Sequence, residues 1–252
     1  MKSSIMASKI KKPLLFITAI IILLVIWHIA AVIIDDNFVL PSIEKTFSAL
    51  IEVLSDGTSF LLILGTISRV VLALIIGFIL GALLGYLSYK FESFALIITP
   101  MLSIIKSTPI ASIIILFWFV IDGYSLPILV SVLMILPLVC ENVTAGFRAI
   151  DPKLIEVCSV FDLSPITRFR ILIFPSVVRY VAPVLITSIG ITWKAEVAAE
   201  IIGYVSNSIG SAINDARSSF ISRDVFAWTV IIIILSMLLE QLTKYLLRRV
   251  IK

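Results

Sequence analysis

The chain alternates long apolar runs with short polar interruptions, and the lengths of the runs set the first expectation. A bilayer core of about 30 Å takes roughly 20 apolar residues of helix. Six runs reach that length: 14–34, 61–89, 94–121, 126–147, 180–203 and 225–246. They predict six transmembrane helices. The first is longer than a signal-peptide core and no small-residue cleavage site follows it, so it is expected to be retained. The third contains Pro100 and Pro109. A proline removes a ladder hydrogen bond and clashes with the preceding turn, so this span is expected to be kinked or split. In the second span Ala73, Gly77, Gly81 and Gly85 recur every four residues. Small residues on one stripe predict close helix packing.

Composition agrees with that pattern. Of 252 residues, 60% are hydrophobic and 14% charged, and the mean hydropathy is +1.18. A soluble domain is about half apolar and about a quarter charged. The chain therefore reads as an all-α polytopic membrane protein, with one transmembrane domain over residues 1–252. The net charge of +4 matters less than its distribution. With the N-terminus inside, inner segments carry Lys2, Lys9, Lys11, Lys12, Lys90, Arg148, Lys153, Arg168, Arg170, Arg179, Lys244, Arg248, Arg249 and Lys252. Outer segments carry only Lys45, Arg217 and Arg223. Cytoplasmic loops hold the excess of Lys and Arg, so both termini are expected in the cytoplasm, and the basic residues are not read as a nucleic-acid surface. Cys140 and Cys158 have no metal-type spacing and are expected as free thiols.

The largest interruption is "DPKLIEVCSVFDLSPITRFRILIFP", Asp151–Pro175, placed in the cytoplasm by the same bias. Asp151-Pro152 and Ser164-Pro165 each put an acceptor at an N-cap and proline at the first helical position. They predict a short helix over about 152–161, a turn at 162–164 and a second helix from about 165. Leu154, Ile155, Cys158 and Phe161 fall on one side of the first helix, Lys153, Glu156 and Ser159 on the other. Such a knob is either a brace for helix ends or a docking surface for a soluble partner.

Charges inside spans are the other conspicuous feature: Arg69, Lys106, Glu141, Lys194, Glu196 and Glu200. Each costs about 2.5–3.5 kcal/mol at the bilayer centre. Lys106 and Ser107 sit at the break in the third span, where Lys106 either lines a cavity or joins an ion pair. Glu196 and Glu200 share one helix face, and Glu200 lies near the outer end, where it could meet a binding protein or serve a gate. With Trp193 and Lys194 these residues are the candidates for a translocation path. Arg69 is expected to pin spans together. His28 beside Trp27 reads as interfacial or packed, and Trp118 and Trp228 as belt aromatics. No His, Asp or Glu cluster has metal-ligand spacing, and no G-x-S-x-G occurs. No catalytic residue and no metal is expected on this chain.

The Asp151–Pro175 segment resembles the EAA loop of permease subunits of binding-protein-dependent ABC importers. Glu156 stands at the glutamate, Val157 and Cys158 at the two small positions, Asp162 at the glycine and Pro175 at the closing proline. Asp tolerates the positive φ for which glycine is favoured at such a turn. "GTISRVVLALIIGFILGALLGYLS" (65–88), "PMLSIIKSTPIASIIILFWFVIDGYS" (100–125) and "ITWKAEVAAEIIGY" (191–204) resemble other runs of the nitrate/sulfonate/taurine branch. The resemblance implies six spans of the type I ABC importer kind, with a cytoplasmic coupling loop (148–178) between spans 4 and 5. It implies docking to an ATPase through residues 152–164, led by Leu154, Ile155, Glu156, Cys158, Phe161 and Asp162, with Leu163 and Ser164. This chain has no G-x-x-x-x-G-K-[ST] loop, so ATP and Mg are expected on the partner ATPase and no cofactor here. An extracytoplasmic substrate-binding protein and a second permease copy, as a homodimer, complete the implied assembly. It would sit among the lipids of a bacterial or archaeal plasma membrane. The substrate class stays open among a sulfonate, a small anion and a small heterocyclic or organic compound. The competing readings are an ATP-independent secondary transporter or channel, which the unrepeated hydropathy pattern disfavours, and an intramembrane enzyme.

Overall fold

The computed structural model describes residues 2–250; Lys252, one of the charges used for orientation, lies outside the described residues. Among the described residues every regular element is helical. In chain order these are α1 (Lys2–Ile34), α2 (Ile43–Ser55), α3 (Gly57–Lys90), α4 (Glu92–Ser107), α5 (Ile110–Trp118) and α6 (Ser125–Arg148). They continue with α7 (Pro152–Val160), α8 (Pro165–Arg168), a π-helical turn (Phe169–Ile173), α9 (Phe174–Ile202), α10 (Ile209–Ser218) and α11 (Ser222–Val250). Five stretches are long and apolar enough to cross a membrane: Ile17–Ile34, Gly57–Lys90, Ser125–Arg148, Pro165–Ile202 and Ser222–Leu247. The sixth crossing is α4 and α5 together, bent by 99° at their junction.

That bend has a local cause. Pro109 has no N–H and disfavours helical backbone at the residue before it, and Thr108 is accordingly extended at ψ 127°. Pro100, in contrast, sits inside α4 without ending it. The expected kink or split is thus a split at one proline of the two. The fifth span differs from its expected start at 180. Helix runs from Pro165 to Ile202, passing Pro175 through the π turn, in which the Phe174 N–H reaches the Phe169 carbonyl. A proline cannot donate to the ladder, and one inserted residue relieves the clash with the turn before it.

The chain's contacts divide into two units, Met1–Ser59 with Ile213–Ile231 and Phe60–Ala212 with Ile232–Lys252. In the first, the Trp27 indole donates to the Pro41 carbonyl (3.1 Å) and meets the Phe226 ring in a tilted contact, with centroids 5.5 Å apart. Arg223 pairs with Glu52 at 3.0 Å. His28 is exposed. Trp228 is buried, which corrects the belt assignment: its ring packs inside the protein rather than at a lipid interface. The amphipathic α2 was not foreseen, because 13 residues fall short of a span; it starts on a Ser42 cap.

The second unit is built around α6 and α9. Ile113 and Ile114 of α5, Leu126 and Val130 of α6, and Ala195 and Ala199 of α9 form one buried cluster. Val139, Val143 and Val184 form another. The small-residue stripe of α3 lies against α6. A Cβ on Gly77 would come within 2.5 Å of Ile135, on Gly81 within 2.7 Å of Val139, and on Gly85 within 2.7 Å of the Cys140 carbonyl. The stripe is a packing device, as its spacing predicts. Exposed carboxyls start two of the helices. Asp56 accepts from the Thr58 hydroxyl and N–H before α3, and Asp122 from the N–H groups of Ser125 and Tyr124 before α6. The Thr58 hydroxyl foremost holds the Asp56 carboxyl below its ordinary value, and the Ser125 N–H does the same for Asp122.

Candidate functional site

Two places carry the candidate chemistry: an exposed knob at α7 and α8, and a buried ion cluster deep in the second unit. The knob forms as the two N-cap signatures predict. Asp151 accepts from the Lys153 N–H (2.9 Å) and Ser164 from the Thr167 N–H (3.2 Å). Between them α7 ends in a Schellman-type turn. Asp162 takes φ 48°, and the Leu163 N–H reaches back to the Cys158 carbonyl at 3.0 Å. Asp162 therefore holds the left-handed conformation that the turn requires.

The two faces of the knob do different things. Cys158 packs with Ile150 and Leu172, supported by Ile155, Leu163, Phe147 and Ile173. That burial takes Cys158 off the docking surface expected for it, because α7 turns this side towards the start of the long fifth span. Ile155 and Leu163 also belong mainly to this inner contact. The outer face shows Leu154, Glu156, Phe161, Asp162 and Ser164, and adds Val157, Val160 and Ile166, which the sequence reading did not select. Val160 is 80% exposed, Phe161 72% and Ile166 81%. For Val157 the signal was available, since 157 and 161 lie on one helix face with 154.

The buried cluster joins two sequence runs that resemble the family separately. Arg69 of α3 lies 2.5 Å (Nη2) from Oε1 of Glu200 and 3.3 Å (Nε) from Oε1 of Glu196, with all three side chains buried. The contact to Glu196 is electrostatic only, since Arg69 Nε and Glu196 Oε1 make no directed hydrogen bond. Glu200 is the better held. Its carboxylate accepts from the Thr66 hydroxyl (2.8 Å to Oε1) and from the Gly210 N–H (3.0 Å). Thr66 in turn accepts from the Ile209 N–H at 3.0 Å. Glu196 accepts from Ser131 of α6 at 2.9 Å. The cluster ties α3, α6, α9 and the start of α10 together. Arg69 pins spans, as expected of it; Thr66, Ser131 and the two backbone donors were missed. Thr66 was legible as one turn ahead of Arg69, whereas nothing marked Ser131.

Burial removes Glu196, Glu200 and Trp193 from an open, water-lined path in this conformation, and Glu200 from direct contact with a binding protein. The two carboxylates turn inward to Arg69, Thr66, Gly210 and Ser131. Lys194 alone of that group is exposed. Lys106 pairs with Glu141 at 2.7 Å, with both side chains about half exposed, which realises the ion-pair alternative. Ser107 is exposed and donates to the Ile104 carbonyl. Among the described residues no three His, Cys, Asp or Glu could hold a metal ion, and both cysteines are buried free thiols.

Comparison with known proteins adds three findings. The sequence model of the family described as "binding-protein-dependent transport system inner membrane component" matches residues 73–252. The chain is 28% identical to SsuC of Bacillus subtilis (strain 168), named an aliphatic sulfonates transport permease protein, over 85% of this chain and 78% of that one. It is 27% identical to the nitrate import permease protein NrtB of Synechocystis sp. (strain ATCC 27184 / PCC 6803 / Kazusa), over 94% and 92% respectively. The fold is similar to a chain of a bacterial alginate ABC transporter solved with a pentasaccharide-bound periplasmic protein (TM-score 0.64, 14% identity, 97% of this chain and 98% of that one). It is also similar to a chain of an amino acid ABC transporter solved with histidines (TM-score 0.57, 17% identity, 75% and 91%).

Proposed function

Because the chain belongs to the family of binding-protein-dependent transport system inner membrane components, as the permease subunit of an ABC importer, we propose that α7 and α8 form the handle by which a separate ATPase moves it. The exposed apolar face of the knob carries this reading. Val160, Phe161 and Ile166 stand out at the tip of a segment flanked by Lys153, Arg168 and Arg170. Such a charged surround favours water over lipid around the tip. An apolar patch held in water on short rigid helices marks a protein-binding surface. The inner face, packed through Cys158 and Leu172, joins the handle stiffly to the fifth span. A push on α7 is thereby delivered to a helix that reaches Ile202.

On this reading the chain does no chemistry itself. ATP and Mg belong to the ATPase, a binding protein delivers cargo from outside, and a second copy of this chain completes the path. Both termini and the knob lie in the cytoplasm. The names of the two sequence relatives support cargo in the class of a sulfonate or another small anion. The test is the double variant Glu156→Arg with Phe161→Ala. It changes the charge and the anchor of the outer face and leaves Cys158 and Leu163 in place. Co-purification of the ATPase is expected to fall at least about tenfold while membrane insertion is unchanged. An undiminished yield of ATPase would count against docking at the knob.

A further inference from the structure

The short helix α2 lies in the chain between the first two spans, and nothing above assigns it a role. Its side chains fall into three arcs. Thr46 and Ala49 are buried within the first unit. Glu44, Ser48, Glu52 and Ser55 form an exposed polar arc, in which Ser48 donates to Glu52 (3.2 Å) and Glu52 pairs with Arg223 (3.0 Å) at the start of α11. Between these arcs Phe47, Ile51 and Leu54 recur at i, i+4 and i+7 and are 61%, 52% and 61% exposed. Three large apolar side chains on one stripe beside a polar arc mark a face that something other than water covers.

The connection from α1 indicates what covers it. Asp35 takes φ 47° just past the end of α1, and the chain turns back. The Trp27 indole then holds the Pro41 carbonyl, directly before the Ser42 cap of α2. Trp27 stands seven residues before the end of α1 at Ile34, about 10 Å along the helix axis. α2 therefore starts alongside the apolar run Ile17–Ile34, which is long enough to cross a membrane and none of which is buried, and not beyond it. A tryptophan indole settles where headgroups meet acyl chains. An amphipathic helix in the membrane plane sinks its apolar face about 5–10 Å into that same boundary. The two depths agree, and a soluble protein approaching from water would stop short of them. The charges of α2 are Glu44 and Glu52 against Lys45 alone, so attraction to anionic headgroups adds nothing to the seating.

We infer that α2 lies in the plane of the membrane, with Phe47, Ile51 and Leu54 among the phospholipid acyl chains of one leaflet and Ser48 and Ser55 at the headgroups. Trp27 fixes the depth of its start, and the Glu52–Arg223 pair ties the start of α11 to it. A turn of α1, the whole of α2 and the head of α11 are thereby held at one level of the bilayer. The inference needs only that the chain resides in a membrane; it does not depend on ATPase docking at the knob.

The experiment uses the full chain, assembled with its ATPase, in nanodiscs of phosphatidylcholine. Nitroxide labels are placed singly at Phe47→Cys, Ile51→Cys, Leu54→Cys, Ser48→Cys and Ser55→Cys; both natural cysteines are buried. Power saturation compares collisions with oxygen, which concentrates in lipid, and with a water-soluble nickel chelate. The oxygen-to-nickel ratio is expected to be severalfold higher at 47, 51 and 54 than at 48 and 55. Exchanging part of the phosphatidylcholine for phosphatidylglycerol should leave the ratios unchanged. The inference is overturned if nickel reaches 47, 51 and 54 as often as 48 and 55, which would leave the stripe open to water or a soluble partner. It is overturned equally if neither reagent reaches the three apolar positions, which would mean that a second copy of the chain covers them. A high ratio seen only with phosphatidylglycerol would replace apolar seating by recruitment through lipid charge and would overturn it as well.

Discussion

Arg69 is the residue on which the most buried polar structure converges, and its two carboxylates are not equivalent. Glu200 has three donors around it: the Arg69 guanidinium, the Thr66 hydroxyl and the Gly210 N–H. Glu196 has Ser131 and a misaligned contact to Arg69. One guanidinium faces two carboxyls, so the Glu196 side is where the charges are least balanced. Removing one partner of a well-made buried pair leaves a stranded charge and costs about 3–5 kcal/mol. Glu200→Ala is therefore expected to lower thermal stability in detergent by that amount. Glu196→Gln keeps an acceptor for Ser131 in a side chain of nearly the same shape, and is expected to change stability by less than about 1 kcal/mol. Equal losses in the two variants would mean that the asymmetry seen in the hydrogen bonds has no energetic counterpart.

Among the elements, α3 gives the sharpest case of sequence pattern becoming contact. Its glycines leave no room for a side chain against α6, and at Gly85 the obstacle is the backbone carbonyl of Cys140, which cannot rotate away. Gly85→Ala is expected to cost about 1–3 kcal/mol through overpacking. Gly190 in α9 has open space where a Cβ would sit. Gly190→Ala is expected to be neutral or to stabilise by about 0.5–1 kcal/mol, since glycine weakens a helix interior. Thermal unfolding of the two purified variants decides the matter, and a Gly85→Ala protein as stable as Gly190→Ala would refute the close approach. What could be read from the sequence follows this same division. Spans, caps and the stripe were legible because length, an Asp-Pro or Ser-Pro pair and a four-residue period are local signals. The 99° turn at Pro109 was legible only as a break, since two prolines offered themselves and backbone context chose one. The facing of α7 was half legible: the 154–161 stripe is visible, but which side meets Leu172 depends on a residue that follows the turn. The Arg69 cluster needed two runs about 130 positions apart to be brought together, and no spacing rule in one chain reports that.

For the whole molecule the open physical question is direction across the membrane, since the charge bias argues for it and the fold alone does not. The chain suits a direct measurement because Cys140 and Cys158 are both buried, so the natural thiols contribute little background to labelling from water. Val160 is 80% exposed at the knob. Gly123 lies at the other end of α6, exposed, with nothing within 4 Å of a Cβ placed there. Neither substitution disturbs a packed contact. In intact cells a membrane-impermeant maleimide is expected to label Gly123→Cys and spare Val160→Cys; in inverted vesicles the pattern should reverse. The reversal matters mechanically as well as topologically. A handle reaches a nucleotide-driven partner only if it stands on the side where ATP is made, and cargo meets a binding protein only on the other. Labelling of Val160→Cys in intact cells would place the knob outside, and the coupling of ATP hydrolysis to the fifth span through α7 would then have no physical route.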